Sequence, residues 1–334
     1  MTTLRDVARL ASVSVTTASA ALRNDPVVKS ATKQKVIDAA ESLNYVTNQS
    51  ARYLKKGKSG IIALVIPDVG NPYFSLLSRE ISQSAQRHGL QTIIQQTNFS
   101  EDIERNFLKR VNSPLCDGLI LNIYNVGEVE LRQIIGNHPA VLFEDYSKKP
   151  LYDNVALPLR ASMRAAFLYL KEQGYRHVAI VGGNRYNSHK IESAGRNAGI
   201  GYALEAMKEA NLGNENDLIP CEWDIQGAFK AAAVIGTGDD QHDAFFCMND
   251  VLGIGLMRSL HDLGIEVPRD KAVFGFDGIE MGSFSIPTLS TVALDFAGMA
   301  EAAVSMLINR IDGISQGPVR QDIAGFRIHQ GESA

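Results

Sequence analysis

A small helical unit followed by two doubly wound α/β lobes is the architecture this sequence predicts, and three observations carry it. Leu4–Gly57 reads as short helices separated by tight breaks. From Ser59 onward the pattern changes to short apolar runs alternating with amphipathic segments, as parallel strands buried on both faces alternate with covering helices. The 334 residues exceed one typical domain, and alternation over this length favours two lobes over one.

In chain order, Thr3 with Asp6 three positions on forms a capping box that opens a first helix, with Val7, Ala8, Leu10 and Ala11 as its apolar residues. After the break Ser12-Val13-Ser14, Ser14 caps a second helix, Val15–Leu22, whose small Ala18 and Ala21 allow close packing on the first. Two short helices joined so tightly suggest a helix-turn-helix. The start of its second helix enters the major groove of DNA, here Val15, Thr16 and Thr17, with Ala20 one turn on. Threonines suit phosphates or base edges, and Val15 suits a thymine methyl. A third helix, roughly 31–44, places Val36, Ile37, Ala40 and Leu43 on one face to close a small core. An arbitrary helical bundle is the competing reading of this segment.

Charge supports the DNA reading. Residues 1–60 hold ten Lys/Arg against four Asp/Glu, a net of +6, while the chain as a whole carries −4. Attraction to phosphate requires that concentration of basic charge, although a solvated basic linker would show the same sign. At the junction, Thr47 or Asn48 caps a helix of about two turns, too short to be stable alone in water. It should order only on a partner. Arg52, Lys55 and Lys56 meet phosphates in this reading. Leu54 fits either a wedge between base steps in the minor groove or packing against a second copy of the same helix.

Ile61–Ile66, Thr92–Ile94, Gly118–Leu121, Val141–Phe143, Val178–Val181, Ala244–Met248 and Val273–Phe276 read as strands, with helices such as Phe74–His88, Met163–Gln173, Gly199–Ala210 and Gly253–Leu263 between them. Ligands of open parallel sheets bind beyond the carboxyl ends of strands, and polar or aromatic residues gather there: Asn71, Tyr73, Phe74, Asn122, Glu144, Asn249, Asp250 and Asp277. Their chemistry suggests a polyol. Asp250 accepts from vicinal hydroxyls, Arg196 and Asn122 donate, and Trp223, the only Trp, offers a flat apolar face. Plainer roles compete for each: core for Trp223, helix capping for Asn249 and Asp250, a surface ion pair for Arg196.

Composition narrows the function class. With 45% hydrophobic and 21% charged residues the chain has an ordinary soluble composition able to bury a sizeable core. The N-terminus lacks the apolar core of a signal peptide and no run approaches a membrane span, so a cytoplasmic location without membrane association is expected. Cys116, Cys221 and Cys247 are widely spaced without CxxC, which fits reduced, buried thiols better than disulfides or a metal site. No HExxH, GxSxG, GxGxxG or GxxxxGK[ST] pattern occurs, and VGGN at 181–184 is a weak phosphate-loop signal. No catalytic residue, metal or cofactor is therefore expected. A sugar- or nucleotide-converting enzyme would be revealed by turnover of a bound ligand. A transport binding protein is disfavoured by the missing signal peptide and by the basic head.

DVARLASVSVTTASAAL, then SLNYVTNQSARYLKKGKSGIIALVIPDVGNPYF, resembles the lactose-repressor/galactose-repressor (LacI/GalR) family of bacterial transcription regulators, and the likeness continues to the chain's end. The resemblance implies a dimer, with two heads on a pseudo-palindromic operator and paired hinge helices inserting Leu54 into the minor groove, where Asn48, Arg52 and Lys55 make further contacts. It implies lobes like those of periplasmic sugar-binding proteins, with the effector between them. The implied organisation is 1–46 head, 47–58 hinge and 59–334 effector-binding and dimerisation domain, the first lobe about 59–158 and 291–318, the second about 162–287 and 321–334. Chain crossovers then fall near 157–161, 287–291 and 318–321. Effector contact is implied most firmly for Arg196 and Asp250, then Tyr73, Phe74, Asn122 and Trp223. Family frequency favours a sugar inducer, with a nucleobase or phosphorylated corepressor as the alternative. Closure of the cleft would alter the separation of the marginally helical hinge helices, unfolding them with loss of DNA contacts. The missing heptad tail after Phe326–His329 adds to the expectation of a dimer. There are departures. Arg23 and Lys29 stand where the family usually has Asn and Ser, and Ala20 is smaller than usual, which puts the operator sequence in doubt. Glu144 stands for the usual Asp, and Pro158-Leu159 for Asp-Asn, so a typical hexose pocket does not follow.

Overall fold

The computed structural model describes residues 2–22, 24–45, 58–111, 116–147, 149–182, 195–235, 241–314 and 317–334. Asn48, Arg52, Leu54 and Lys55, the residues of the expected hinge helix, lie outside the described residues, as does the side chain of Arg196. The chain divides into two compact units, Met1–Ser59 and Gly60–Ala334.

In the first unit, helix α1 (Leu4–Leu10) starts at the expected capping box: Asp6 Oδ2 accepts from the Thr3 N–H (3.0 Å) and hydroxyl (2.7 Å). These bonds hold the Asp6 carboxyl below the usual carboxylate range. Ser12 turns the chain at φ 54°, and Ser14 Oγ accepts the N–H of Thr17 at 3.0 Å to start α2 (Val15–Leu22). Helix α3 (Ser30–Ser42) ends just before Asn44, which adopts φ 46°. The core is built of Val7, Ala8, Ala11, Ala18, Ala21, Val36, Ala39 and Ala40. Two residues expected in it turn outward, Leu10 (54% exposed) and Ile37 (37%). Val36, Ala39 and Ala40 at i, i+3 and i+4 define the buried stripe of α3, and Ile37 lies about 100° away from Val36 on the helix.

The second unit holds two six-stranded sheets. The first contains β1 (Ile61–Ile66), β2 (Gln91–Gln96), β3 (Gly118–Leu121), β4 (Ala140–Phe143), β5 (Asp153–Ala156) and, from far along the chain, β11 (Gln321–Ile323), in the order β11-β5-β4-β3-β1-β2 with every pairing parallel. The second contains β6 (Val178–Val181), β7 (Leu218–Ile219), β8 (Ala244–Cys247), β9 (Ala272–Asp277), β10 (Ser290–Leu294) and β12 (Phe326–His329), in the order β12-β10-β9-β8-β6-β7. Among the described residues of this sheet, only β12 runs antiparallel to its neighbour. Strands β3, β4, β6, β8 and β9 are buried along their whole length. Thr92–Ile94 forms the expected strand without the expected burial. It belongs to edge strand β2, where Ile93 and Ile94 are exposed, because that strand has a neighbour on one side only.

The chain passes between the sheets three times. The first crossing, between β5 and the helix Leu159–Glu172, falls where expected. The second falls at Asp295 and the third at Ala324-Gly325, not at 287–291 and 318–321. β10 stays in the second sheet before helix Phe296–Ile311 packs on the first, and β11 stays in the first before β12 joins the second. Pro287 and Pro318 precede strands; they punctuate turns and do not mark a change of lobe. Two backbone bonds lash the three crossings together: Ala324 N–H to Ala156 O and Asp295 N–H to Gly325 O, both 2.9 Å. Burial pushes the Cys116 and Cys221 thiols up to about 11, so both are protonated at neutral pH; Cys221 is half-buried where burial was expected.

Candidate ligand cleft and helix-turn-helix face

A cleft of about 580 Å³, counted with the solvent at its mouth, lies between the carboxyl ends of the two sheets. Tyr73, Phe74, Glu144, Trp223 and Asp277 all line it, as the sequence led one to expect. So does Leu159, which the sequence already marked as a departure in the pocket, and so do Tyr124, Leu157, Met163, Met248 and Phe276, which sequence reasoning did not place there. The missed signal was positional: Tyr124 follows Asn122 closely at the end of β3, and Leu157 adjoins the first crossing.

Helix starts at strand ends set the polar side chains. Asn71 Oδ1 accepts the Tyr73 N–H (2.9 Å) and begins helix Pro72–Arg87, turning Tyr73 and Phe74 inward. The Tyr73 hydroxyl donates to Glu144 Oε1 at 2.8 Å, and Asn122 Nδ2 donates to the same oxygen at 3.2 Å. Burial, then the negative Glu144, push the Tyr73 phenol well above its ordinary value, so it remains a donor. Asn122 is thus fully buried behind Glu144 and does not line the cleft. Glu144 adopts φ 59°, and the reach of Glu over the usual Asp brings its carboxylate to Tyr73.

Asp250 departs most from expectation. It is fully buried and absent from the cleft wall. Its Oδ2 accepts the N–H groups of Gly278 and Ile279 (both 2.7 Å), and Oδ1 accepts the Thr291 hydroxyl (2.6 Å). A polyol acceptor needs oxygens aimed into the cleft, and these are already engaged. Asp250 instead ties the ends of β9 and β10 to helix Asp250–Asp262, which Asn249 caps through the Leu252 N–H (2.8 Å). A Cβ at Gly275 would lie 2.2 Å from Asp250 Oδ1, so only glycine leaves room for this anchor.

Asp277, two residues beyond Gly275, faces the cleft with 8% exposure and strained backbone, φ 122°. Burial, with Asp250 and Glu144 nearby, pushes its carboxyl well above the ordinary range; burial lifts Asp250 from 3.8 to about 7 despite its donors. Both groups keep their protons in the fold at pH values where the unfolded chain has lost them. The folded state then binds more protons, and stability falls as pH rises from about 4 through about 7. His138, lowered by burial, acts oppositely below pH 6.5. The melting temperature is expected to fall between pH 5.5 and 8, and Asp277→Asn to flatten that slope. A melting temperature that rises over this range in differential scanning calorimetry would refute it.

On the first unit, Val15 and Thr16 are exposed at the start of α2, and Ala20 is half-buried one turn on. Thr17 is engaged locally, its Oγ1 2.8 Å from Ser14 Oγ. Among the described residues no group of three His, Cys, Asp or Glu side chains is placed to hold a metal ion, and no helix is long and apolar enough to cross a membrane.

Comparison with known proteins agrees with both units. Residues 3–48 match the model of bacterial regulatory proteins of the lacI family, and residues 167–334 that of a periplasmic binding protein-like domain. The ribose operon repressor of Halalkalibacterium halodurans is 30% identical over 93% of this chain and 91% of its own length. The HTH-type transcriptional repressor PurR of Vibrio vulnificus is 29% identical over 93% and 92%. A LacI-type transcription regulator from Bifidobacterium animalis subsp. lactis superposes with a TM-score of 0.74 at 25% identity, over 82% of this chain and 99% of that one. With a helix-turn-helix at one end and paired sheets around a cleft at the other, this chain belongs to the lacI family of DNA-binding bacterial regulators.

Proposed function

We propose that the cleft takes a flat, nitrogen-bearing ring of the nucleobase class, and that its occupancy sets the affinity of the helix-turn-helix for DNA. The carrying observation is the character of the wall. Phe74, Leu157, Leu159, Met163 and Phe276 present apolar faces, while Glu144 and Asp277 offer carboxyl oxygens suited to ring N–H donors. Leu157 and Leu159 supply hydrocarbon on the wall where hydroxyls of a hexose would need polar partners. The relatives named PurR favour the same reading. A sugar ligand, the expectation from family frequency, retains the support of Trp223 on the wall and of the ribose operon repressor among the relatives. A thermal-shift panel of nucleobases and monosaccharides separates the two. A rise in melting temperature with nucleobases, accompanied by tighter DNA binding as for a corepressor, is expected. A response confined to sugars would overturn the choice of effector.

In this reading, residues 1–46 form the head, 47–58 the hinge and 59–334 the effector-binding domain. Val15, Thr16 and Ala20 face base edges, Thr17 works mainly as a cap, and Asn48, Arg52, Leu54 and Lys55 meet the minor groove and its phosphates. Arg196, in the first turn of helix Gly195–Ala210, contacts the effector. The operator-bound form is a dimer. Its second lobe carries an exposed apolar run, Met281, Phe284 and Ile286 (97% exposed), which a partner protomer would cover. Phe284→Glu combined with Ile286→Glu is expected to shift the dimer to monomer in sedimentation velocity. An unchanged sedimentation coefficient would place the interface elsewhere.

A further inference from the structure

We infer that the cleft continues into a second subsite, a ledge formed by Tyr124 and Phe99, which takes a second ring carried by the effector. The effector is then a two-ring molecule of nucleoside size and not a free base; only the identity of the first ring rests on the nucleobase reading above.

Continuity with the cleft supports this. Phe74 and Tyr124 both line the cavity, and Phe99 lies against each, with ring centroids 6.4 Å and 5.4 Å away. Exposure increases along the series, from buried Phe74 through half-buried Tyr124 to Phe99 at 36%. The aromatic surface therefore leads out of the cavity and leaves part of its outer member exposed.

The way Phe99 is held points in the same direction. Asn98 and Phe99 are consecutive non-glycine residues in the left-handed region, at φ 53° and 56°. Backbone bonds from Asn98 N–H to Pro67 O (2.7 Å) and from Ser100 N–H to Thr97 O (2.9 Å) keep them there. Across from them, the fully buried Glu104 accepts the N–H groups of Tyr124 (3.1 Å) and Asn125 (2.9 Å). The Asn125 side-chain amide donates both to Glu104 Oε1 (3.1 Å) and to Phe99 O (3.0 Å), joining the two loops. A strained turn and a buried carboxylate thus fix two rings at the cleft margin, one of them facing water. Such a surface receives the flat or C–H face of another ring.

Matched probes test it by isothermal titration, a fused purine being counted as one ring: adenine with adenosine, and glucose with phenyl β-glucoside. In whichever pair binds, the two-ring member is expected to bind roughly five- to tenfold more tightly than its one-ring partner. Phe99→Ala should remove most of that gain with one-ring affinity unchanged, a cooperative thermal transition showing that the variant is folded. Failure of the nucleobase reading alone would appear as binding of the sugar pair only, with the ledge effect intact. The ledge is overturned by equal affinities within the binding pair, by equal loss of both members in Phe99→Ala, or by the absence of binding by either two-ring probe.

Discussion

Val36→Asp is expected to lower operator affinity more than a hundredfold while effector affinity changes less than twofold. Val36 has no exposed surface and is one of eight buried core residues, of which the six besides the valines are alanines. A domain this small holds only a few kcal/mol in reserve, and an ionised carboxylate without a partner costs at least that much in an apolar site. The α3 packing that supports α2 is therefore lost, and with it the exposed Val15 and Thr16 at the start of α2. The α/β unit has separate cores of its own and should keep its thermal transition. DNA selected by the wild-type protein from a random pool supplies the probe for fluorescence anisotropy, with effector titration as the control. Val36→Ala, a loss of packing without charge, should weaken binding far less. Wild-type DNA affinity in the Asp variant would show that the helical unit does not depend on this core.

Both units were legible in the sequence because their signals are local. All seven strands read from apolar runs form in the sheets, Ala244–Met248 overrunning β8 by one residue, and the Thr3–Asp6 box and the Ser14 cap follow from spacing alone. What escaped depends on neighbours distant in the chain. Ile93 and Ile94 look like core until β2 is found at the sheet edge. The allegiance of β10 and β11 to one sheet or the other is decided by pairing with β9 and β5, which moves two crossings past their prolines. The same holds in the cleft. Tyr73, Phe74, Glu144, Trp223 and Asp277 were legible at strand ends, whereas Asn122 and Asp250 stand at equally suggestive positions but face inward, toward Glu144 and toward the end of β9. Sequence position gives the end of a strand; which way its side chain turns depends on what partner it meets.

Asp250→Ala is expected to lower effector affinity more than tenfold even though the carboxylate does not reach the cleft. Three donors converge on it, the N–H groups of Gly278 and Ile279 and the Thr291 hydroxyl, all at 2.7 Å or less. Each donor left buried and unpaired costs about 1–3 kcal/mol, so the α/β unit should lose roughly 3–5 kcal/mol and several degrees of melting temperature. Asp277 immediately precedes Gly278, so the loosened segment is the one that aims the cleft carboxyl, and affinity falls through geometry. A direct-contact role would instead cost affinity with no loss of stability. Thr291→Val separates the two cases, since it touches only the anchor and should reproduce part of both losses. Asp250→Asn should be the mildest change: burial lifts the acid to about 7, so near neutrality the fold already accommodates an uncharged group there, and the amide oxygen still accepts. Calorimetric melting beside isothermal titration for the three variants decides it, and unchanged melting in Asp250→Ala would return Asp250 to the role of a ligand contact.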